Sequence, residues 1–255
     1  MRDQLQQKVA RVRQNIAAAC ACAGRDPASV CLVAVTKSVD TAAIRLLLSA
    51  GVNEIGENRV QQLVARAQEV GAEPAPWTEP EQRPASPAAA PRWHMVGHLQ
   101  RNKVKALLPH ARLIHSLDSI RLADEIESVA ARLDVTVDAF IEINVSGEAQ
   151  KCGVAPGDLE ALIAGVRKCG RIRLRGLMTM PPFDPDPEHA RPHFARLREL
   201  LRRLQETGAV GPEFRHLSMG MSLDYPVAVE EGATFVRVGT TLFEGLLPDS
   251  ACEAE

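Results

Sequence analysis

The stretch "LVAVTKSVD", residues 32–40, places a lysine directly after an apolar run that extends from Val30 to Val35. Such a run reads as a strand covered on both faces, the pattern of a parallel sheet flanked by helices. At the mouth of that strand Lys37 is expected to lose hydration, and a poorly hydrated amine favours the neutral form that attacks a carbonyl. The plain alternative is a lysine that bends out to solvent at the rim.

A second set of residues lies near the other end of the chain. In "ATFVRVGTTLFEG" a strand carrying Arg237 runs into Gly239, Thr240 and Thr241 and then into a helical start. Backbone N–H groups and hydroxyls gathered at such a turn suit a phosphate. The preceding "HLSMGMSLD" offers a companion turn containing Met219, Gly220 and Ser222. An ordinary glycine turn with a capping threonine uses the same letters. An amine and a phosphate turn at neighbouring strand ends match a ligand with an aldehyde and a phosphate. Pyridoxal 5′-phosphate is one such ligand, and a sugar phosphate handled by a Schiff-base aldolase is another. Arg237 bears on the choice, because arginine keeps its proton. A pyridine nitrogen facing it stays unprotonated, and the cofactor is then a weak electron sink.

These residues must be positioned by regular elements. Leu5, Val9, Val12 and Ile16 recur at helical spacing, which predicts a leading helix over residues 3–23. Strands are then expected at Val30–Thr36, Asn53–Gly56, Trp93–Gly97, Arg112–His115, Val137–Val145, Ile172–Met178, Phe214–Ser218 and Thr234–Val238. Helical patterns fill the intervals, so the expected fold class is α/β, a single (β/α)8 TIM-type barrel with an extra N-terminal helix. One segment breaks the rhythm: residues 72–92 hold many prolines and one large apolar residue, Trp77. It is expected to be a disordered surface insertion within one domain spanning residues 1–255.

Composition narrows the partners. Thirty Lys and Arg stand against 32 Asp and Glu, a formal net charge of −2, which gives no support to nucleic-acid or membrane-surface binding. The six cysteines lack zinc-ligand spacing and read as free thiols, and the N-terminal segment has no signal-peptide pattern, so a cytoplasmic protein is expected.

Eight segments in order, "VAVTK", "GENRVQ", "WHMVGHLQRNK", "IHSLDS", "INVSGEAQKCGV", "RGLMTM", "HLSMGMSLD" and "FVRVGTTLFEG", resemble the pyridoxal phosphate homeostasis protein family, relatives of the N-terminal domain of alanine racemase. The resemblance spans about residues 3 to 246 and implies pyridoxal phosphate on Lys37, Arg237 at the pyridine nitrogen, and Ser222, Gly239 and Thr240 at the phosphate. It also implies Asn58 beside the ring and Met219 and Gly220 shaping the phosphate turn through their backbone. The implied role is reversible storage and supply of the cofactor, with PLP-dependent apoenzymes as recipients. The 72–92 segment departs from the family pattern and is expected to be dispensable for the site. Racemisation needs proton transfer on two faces. The sole tyrosine, Tyr225, sits at a helix start. A non-catalytic carrier is therefore expected, with a low-efficiency racemase as the alternative and a monomer as the working state. His94, His98, Lys103 and Lys151 are polar residues expected near the mouth.

Overall fold

The computed structural model describes residues 1–71, 74, 76–83, 89–148 and 152–246. Lys151, Cys252 and part of the 72–92 segment lie outside the described residues. Helix α1 (Arg2–Cys22) precedes an alternation of strands and helices: β1 (Cys31–Val35), α2 (Thr41–Ser49), β2 (Glu54–Glu57), α3 (Val60–Val70), β3 (Arg92–Met95), α4 (Val104–Leu107), β4 (Leu113–Leu117) and α5 (Ile120–Leu133). The second half continues with β5 (Val137–Glu142), α6 (Leu159–Val166), β6 (Ile172–Met178), α7 (Arg191–Glu206), β7 (His216–Ser218), α8 (Tyr225–Glu230), β8 (Phe235–Val238) and α9 (Thr240–Phe243).

The strands pair in parallel, each with its sequence neighbour, and β8 pairs back onto β1 to close the barrel. The register sets Val33 beside Arg237 and Gly56 beside His94. Side-chain caps start two of the helices: Asp40 accepts from the Ala43 amide at 2.9 Å, and Ser119 from the Leu122 amide at 3.4 Å. The spaced apolar residues of α1 are buried as their period requires, and the helix packs on α2, α8 and α9 outside the barrel. Among the described residues no helix is long and apolar enough to cross a membrane, and Cys20, Cys22, Cys31, Cys152 and Cys169 are free thiols.

Where a disordered surface loop is expected over 72–92, described residues 76–83 pack into the N-terminal mouth of the barrel. The Trp77 ring lies 5.3 Å from His216, 5.8 Å from Phe235 and 6.4 Å from Phe140. The Arg175 guanidinium stacks over the Trp77 ring, 4.6 Å from its centroid. The indole N–H donates to Glu79 at 3.0 Å, and Glu79 in turn meets His216 at 2.9 Å. Arg83 completes the plug, donating to Glu54 at 2.7 Å and to the Thr78 carbonyl at 3.0 Å. Proline-rich composition suggested exposure, but one tryptophan and one arginine find apolar and anionic partners at the strand starts. Trp77→Ala is expected to lower unfolding free energy by about 2–4 kcal/mol in urea denaturation. A change within about 0.5 kcal/mol would show that the plug carries no packing energy.

Candidate functional site

The expected site residues converge on the C-terminal ends of the strands, and the chain leaves β1 toward that face. Cys31, Val33 and Val35 contribute to the cluster inside the barrel, and Thr36 is buried. Lys37 continues that alternating series into a turn past the rim, where it is exposed. The dehydrated lysine expected at the mouth is thus corrected: the strand ends at Val35, one residue earlier than expected, and the buried position belongs to Thr36.

What holds that turn is a constellation the sequence did not single out. Arg66, on α3, donates to the Thr36 carbonyl at 2.8 Å and also to the Val39 carbonyl, bracketing Lys37. The same guanidinium pairs with Glu57, which is fully buried and accepts from the Thr36 hydroxyl as well. Two carbonyls and one carboxylate on a single planar fork leave the turn little freedom. Only the strand-to-helix proximity of β2, α3 and β1 reveals it, since Arg66 sits mid-helix among ordinary surface residues.

Asn58 follows β2. A Cβ on Gly97 would fall 2.4 Å from the Asn58 carbonyl oxygen, so the close approach of these two strand ends requires glycine. Asn58 Oδ1 is buried and has no hydrogen-bond partner among the described residues. A polar atom left this way is costly unless a ligand completes it.

The turns after β7 and β8 are laced together. Met219 is buried and its amide donates to the Phe235 carbonyl at 3.1 Å, while the Gly220 carbonyl accepts from the Arg237 amide at 2.9 Å. Gly220 has φ +91°, and a Cβ there would lie 2.5 Å from the Ala228 Cβ, so the turn depends on glycine twice over. Ser222 Oγ accepts from the Gly239 amide at 3.1 Å and the Thr241 amide at 3.3 Å, and Thr241 donates its hydroxyl to the Ser222 carbonyl at 3.0 Å. Thr240 is exposed beside them. The result is a compact set of amides and hydroxyls on strands β7 and β8, with Gly239 against the Val35 carbonyl of β1. Lys37 and this donor cluster therefore stand at adjacent strand ends, while Asn58 closes the far side of β1.

Arg237 points into the barrel, 3% exposed, and donates to Ser218 Oγ at 2.7 Å and to the Thr179 carbonyl at 2.9 Å. Burial lowers its pKa to about 10, against the opposing pull of Asp224 and Glu142, so the guanidinium stays charged at neutral pH. Glu142, the last residue of β5, is a second residue missed from the sequence. The residue is 3% exposed, and its buried Oε2 finds no hydrogen-bond partner among the described residues. Burial, helped by the Asp118 charge and opposed by Arg237, pushes its pKa up to about 7. An inward glutamate at a strand end looks like any alternating strand position until its unmet oxygen is seen.

The remaining candidates separate. His94 is not at the mouth but fully buried in the barrel interior, bonded to Glu54 at 2.8 Å and His115 at 2.9 Å. β3 ends at Met95, so His94 lies a residue inside the strand rather than beyond it. His98 is half exposed and meets Asp118 at 3.4 Å. Lys103 is half-buried in the turn leading to α4. Tyr225 is buried against α1, its hydroxyl accepting from Asn15 at 2.8 Å, which occupies it in helix packing.

The alanine racemase N-terminal domain family matches residues 8–247. A pyridoxal phosphate homeostasis protein of Aquifex aeolicus is 40% identical over 237 residues, covering 93% of this chain and 96% of that protein. A structure from Bifidobacterium adolescentis, described as an unknown protein, superposes with TM-score 0.82 at 36% identity, covering 95% of each chain. PipY of Synechococcus elongatus, solved with PLP bound, superposes with TM-score 0.76 at 31% identity, covering 94% of this chain and 99% of that one.

Glu142 yields a pH test. Its folded carboxyl holds a proton more tightly than an unfolded one, so its contribution to stability is full below the ordinary carboxyl range and is lost as pH rises through about 7. Glu142→Gln is therefore expected to match the wild type near pH 4 and to be more stable by about 1–3 kcal/mol at pH 8.5. Thermal unfolding across that range checks it; a gap independent of pH would mean that Glu142 ionises normally.

Proposed function

The chain belongs to the pyridoxal phosphate homeostasis protein family, within the alanine racemase N-terminal domain family, and from that membership we propose that it binds pyridoxal 5′-phosphate reversibly and supplies it inside the cell. The donor set fits such a ligand. Lys37 offers an exposed amine on a turn clamped by Arg66, and the Ser222, Gly239, Thr240 and Thr241 amides and hydroxyls form a cluster suited to a phosphate. Buried Asn58 Oδ1 lacks a partner among the described residues, which a ring substituent would complete. The observation that carries the proposal is this convergence of amine, anion donors and buried arginine on adjacent strand ends.

In this reading Lys37 Nζ attaches the cofactor through its aldehyde, releasing water, and releases it by the reverse hydrolysis. When bound, pyridoxal phosphate supplies an electron sink for amine chemistry. Arg237 would donate to the ring nitrogen and hold it unprotonated, which keeps that sink weak. Ser222, Gly239 and Thr240 would hold the phosphate; Met219 and Gly220 keep their turn in place through backbone bonds to β8. The exposed position of Lys37 supports exchange over permanent retention, because water reaches the attachment point. A carrier acting as a monomer in the cytoplasm, with PLP-dependent apoenzymes as recipients, follows from the same reading. Tyr225, packed against α1, does not supply an opposite-face base.

Incubation with pyridoxal phosphate, borohydride reduction and peptide mass analysis test the proposal. A new near-visible absorption band and a reduced adduct on the Lys37 peptide are expected. Lys37→Ala should abolish both, with stability within about 0.5 kcal/mol of the wild type because the side chain is exposed. No adduct in the wild type would overturn the proposal; an adduct on another lysine would move the site.

A further inference from the structure

A single file of hydrogen bonds runs along the barrel axis from the N-terminal plug to Arg237. Glu54, at the start of β2, meets Arg83 at 2.7 Å and Arg92 at 2.6 Å. Its Oε2 also meets His94 Nε2 at 2.8 Å; His94 Nδ1 meets His115 Nε2 at 2.9 Å; and His115 Nδ1 meets Ser218 Oγ at 2.7 Å. Ser218 Oγ then accepts from Arg237 at 2.7 Å. His94, His115 and Ser218 are each 0% exposed. Phe140 stacks on the His115 ring at 4.6 Å and Phe235 covers both imidazoles, which shuts water out of the file.

The direction of every bond follows from its two ends. Glu54, held near a pKa of about 2 against its burial by His94 and the two arginines, is a carboxylate and only accepts. Burial lowers the pKa of both histidines, so each is neutral with one N–H. His94 must then carry its hydrogen on Nε2 and accept at Nδ1, and His115 must do the same. Ser218 consequently gives its one hydrogen to His115 and keeps its lone pairs for Arg237.

We propose that Glu54, His94, His115 and Ser218 form a positioning relay that fixes the Arg237 guanidinium from below, so that a charge at one end of the barrel orients the ring-nitrogen donor at the other. The proposal rests on the assignment of Arg237 to the cofactor, but the relay itself is a property of the chain alone. None of the four is a catalytic residue. Their work is to commit the Ser218 hydrogen to His115, so that its lone pairs stay aimed at Arg237, and thereby to remove one of the ways the guanidinium could rotate. The insertion takes part, since Arg83 is one of the two cations that keep Glu54 ionised.

Two variants at His94, far from the strand mouth, separate positioning from mere packing. His94→Gln offers an amide oxygen to His115 and an amide N–H to Glu54, so it preserves the direction of the file; His94→Leu breaks it and frees His115 to take the other tautomer. Affinity for pyridoxal phosphate is expected to fall about tenfold in His94→Leu, with a displaced absorption band, and to return toward wild type in His94→Gln. Should the leucine variant not fold, Ser218→Ala removes the last acceptor with a smaller change in volume and is expected to give the same loss. Wild-type affinity and band in the folded leucine variant, or in Ser218→Ala, would overturn the proposal. Independently, 15N spectra of histidine-labelled protein without cofactor at pH 7.5 should show His94 and His115 both as neutral Nε2–H. An Nδ1–H tautomer at either overturns the relay whatever the cofactor does. Two Nε2–H signals in a wild type that takes up no cofactor would instead sustain the relay and remove the assignment of Arg237 to a ring.

Discussion

A guanidinium held 3% exposed inside a closed barrel is the constraint on which the rest of this molecule turns. Isolated burial of such a charge is prohibitive, so the surroundings must accept its hydrogens and answer its charge. Ser218 and the Thr179 carbonyl do the first at 2.7 and 2.9 Å. Asp224 and Glu142 contribute to the second from the C-terminal side. The interior of a barrel is ordinarily filled by layers of branched apolar side chains. Here a line of polar groups replaces part of those layers, and aromatic rings at Phe140 and Phe235 insulate it.

That substitution explains why the N-terminal mouth is closed so thoroughly. Glu54 is a second buried charge at the foot of the same line, and it needs cations that water would otherwise replace. Arg92 comes from β3 and Arg83 from the insertion, whose Trp77 covers the opening and stacks with both Arg83 and Arg175. The plug and the strand-end site thus lie at opposite ends of the barrel but share one buried polar axis. Trp77, Glu79 and Arg83 of the insertion pack against the buried residues of the barrel, even though the composition around them is that of a loop.

On the C-terminal face the design is different, because the groups there must remain accessible. Lys37 is held by its backbone, through Arg66 and Glu57, while its side chain is left in solvent. Gly97 and Gly220 permit contacts of backbone with neighbouring strands and helices that any side chain would block, bringing Asn58 and the Ser222 turn into place. A clamped backbone beside an exposed amine leaves the turn preorganised without enclosing the side chain.

By itself the sequence determined the alternation of elements, the closure into eight parallel strands and the gathering of Lys37, Asn58, Ser222, Arg237 and Gly239 at one face. Periodicity, caps and glycine turns are local, and a barrel's connectivity follows its order. Tertiary structure alone decided the rest. That Thr36 rather than Lys37 is buried depends on where β1 stops; that Arg66 clamps the turn depends on α3 folding back across β1; that His94 is an interior residue bonded to Glu54 and His115 depends on the register of three strands. Trp77 and Glu142 read as loop and strand letters until their neighbours are known. Each of these turns on which side chain satisfies a buried polar atom or covers an apolar one, and partners such as Thr36 and Glu57, 21 residues apart, or Glu79 and His216, 137 residues apart, leave no trace in local spacing.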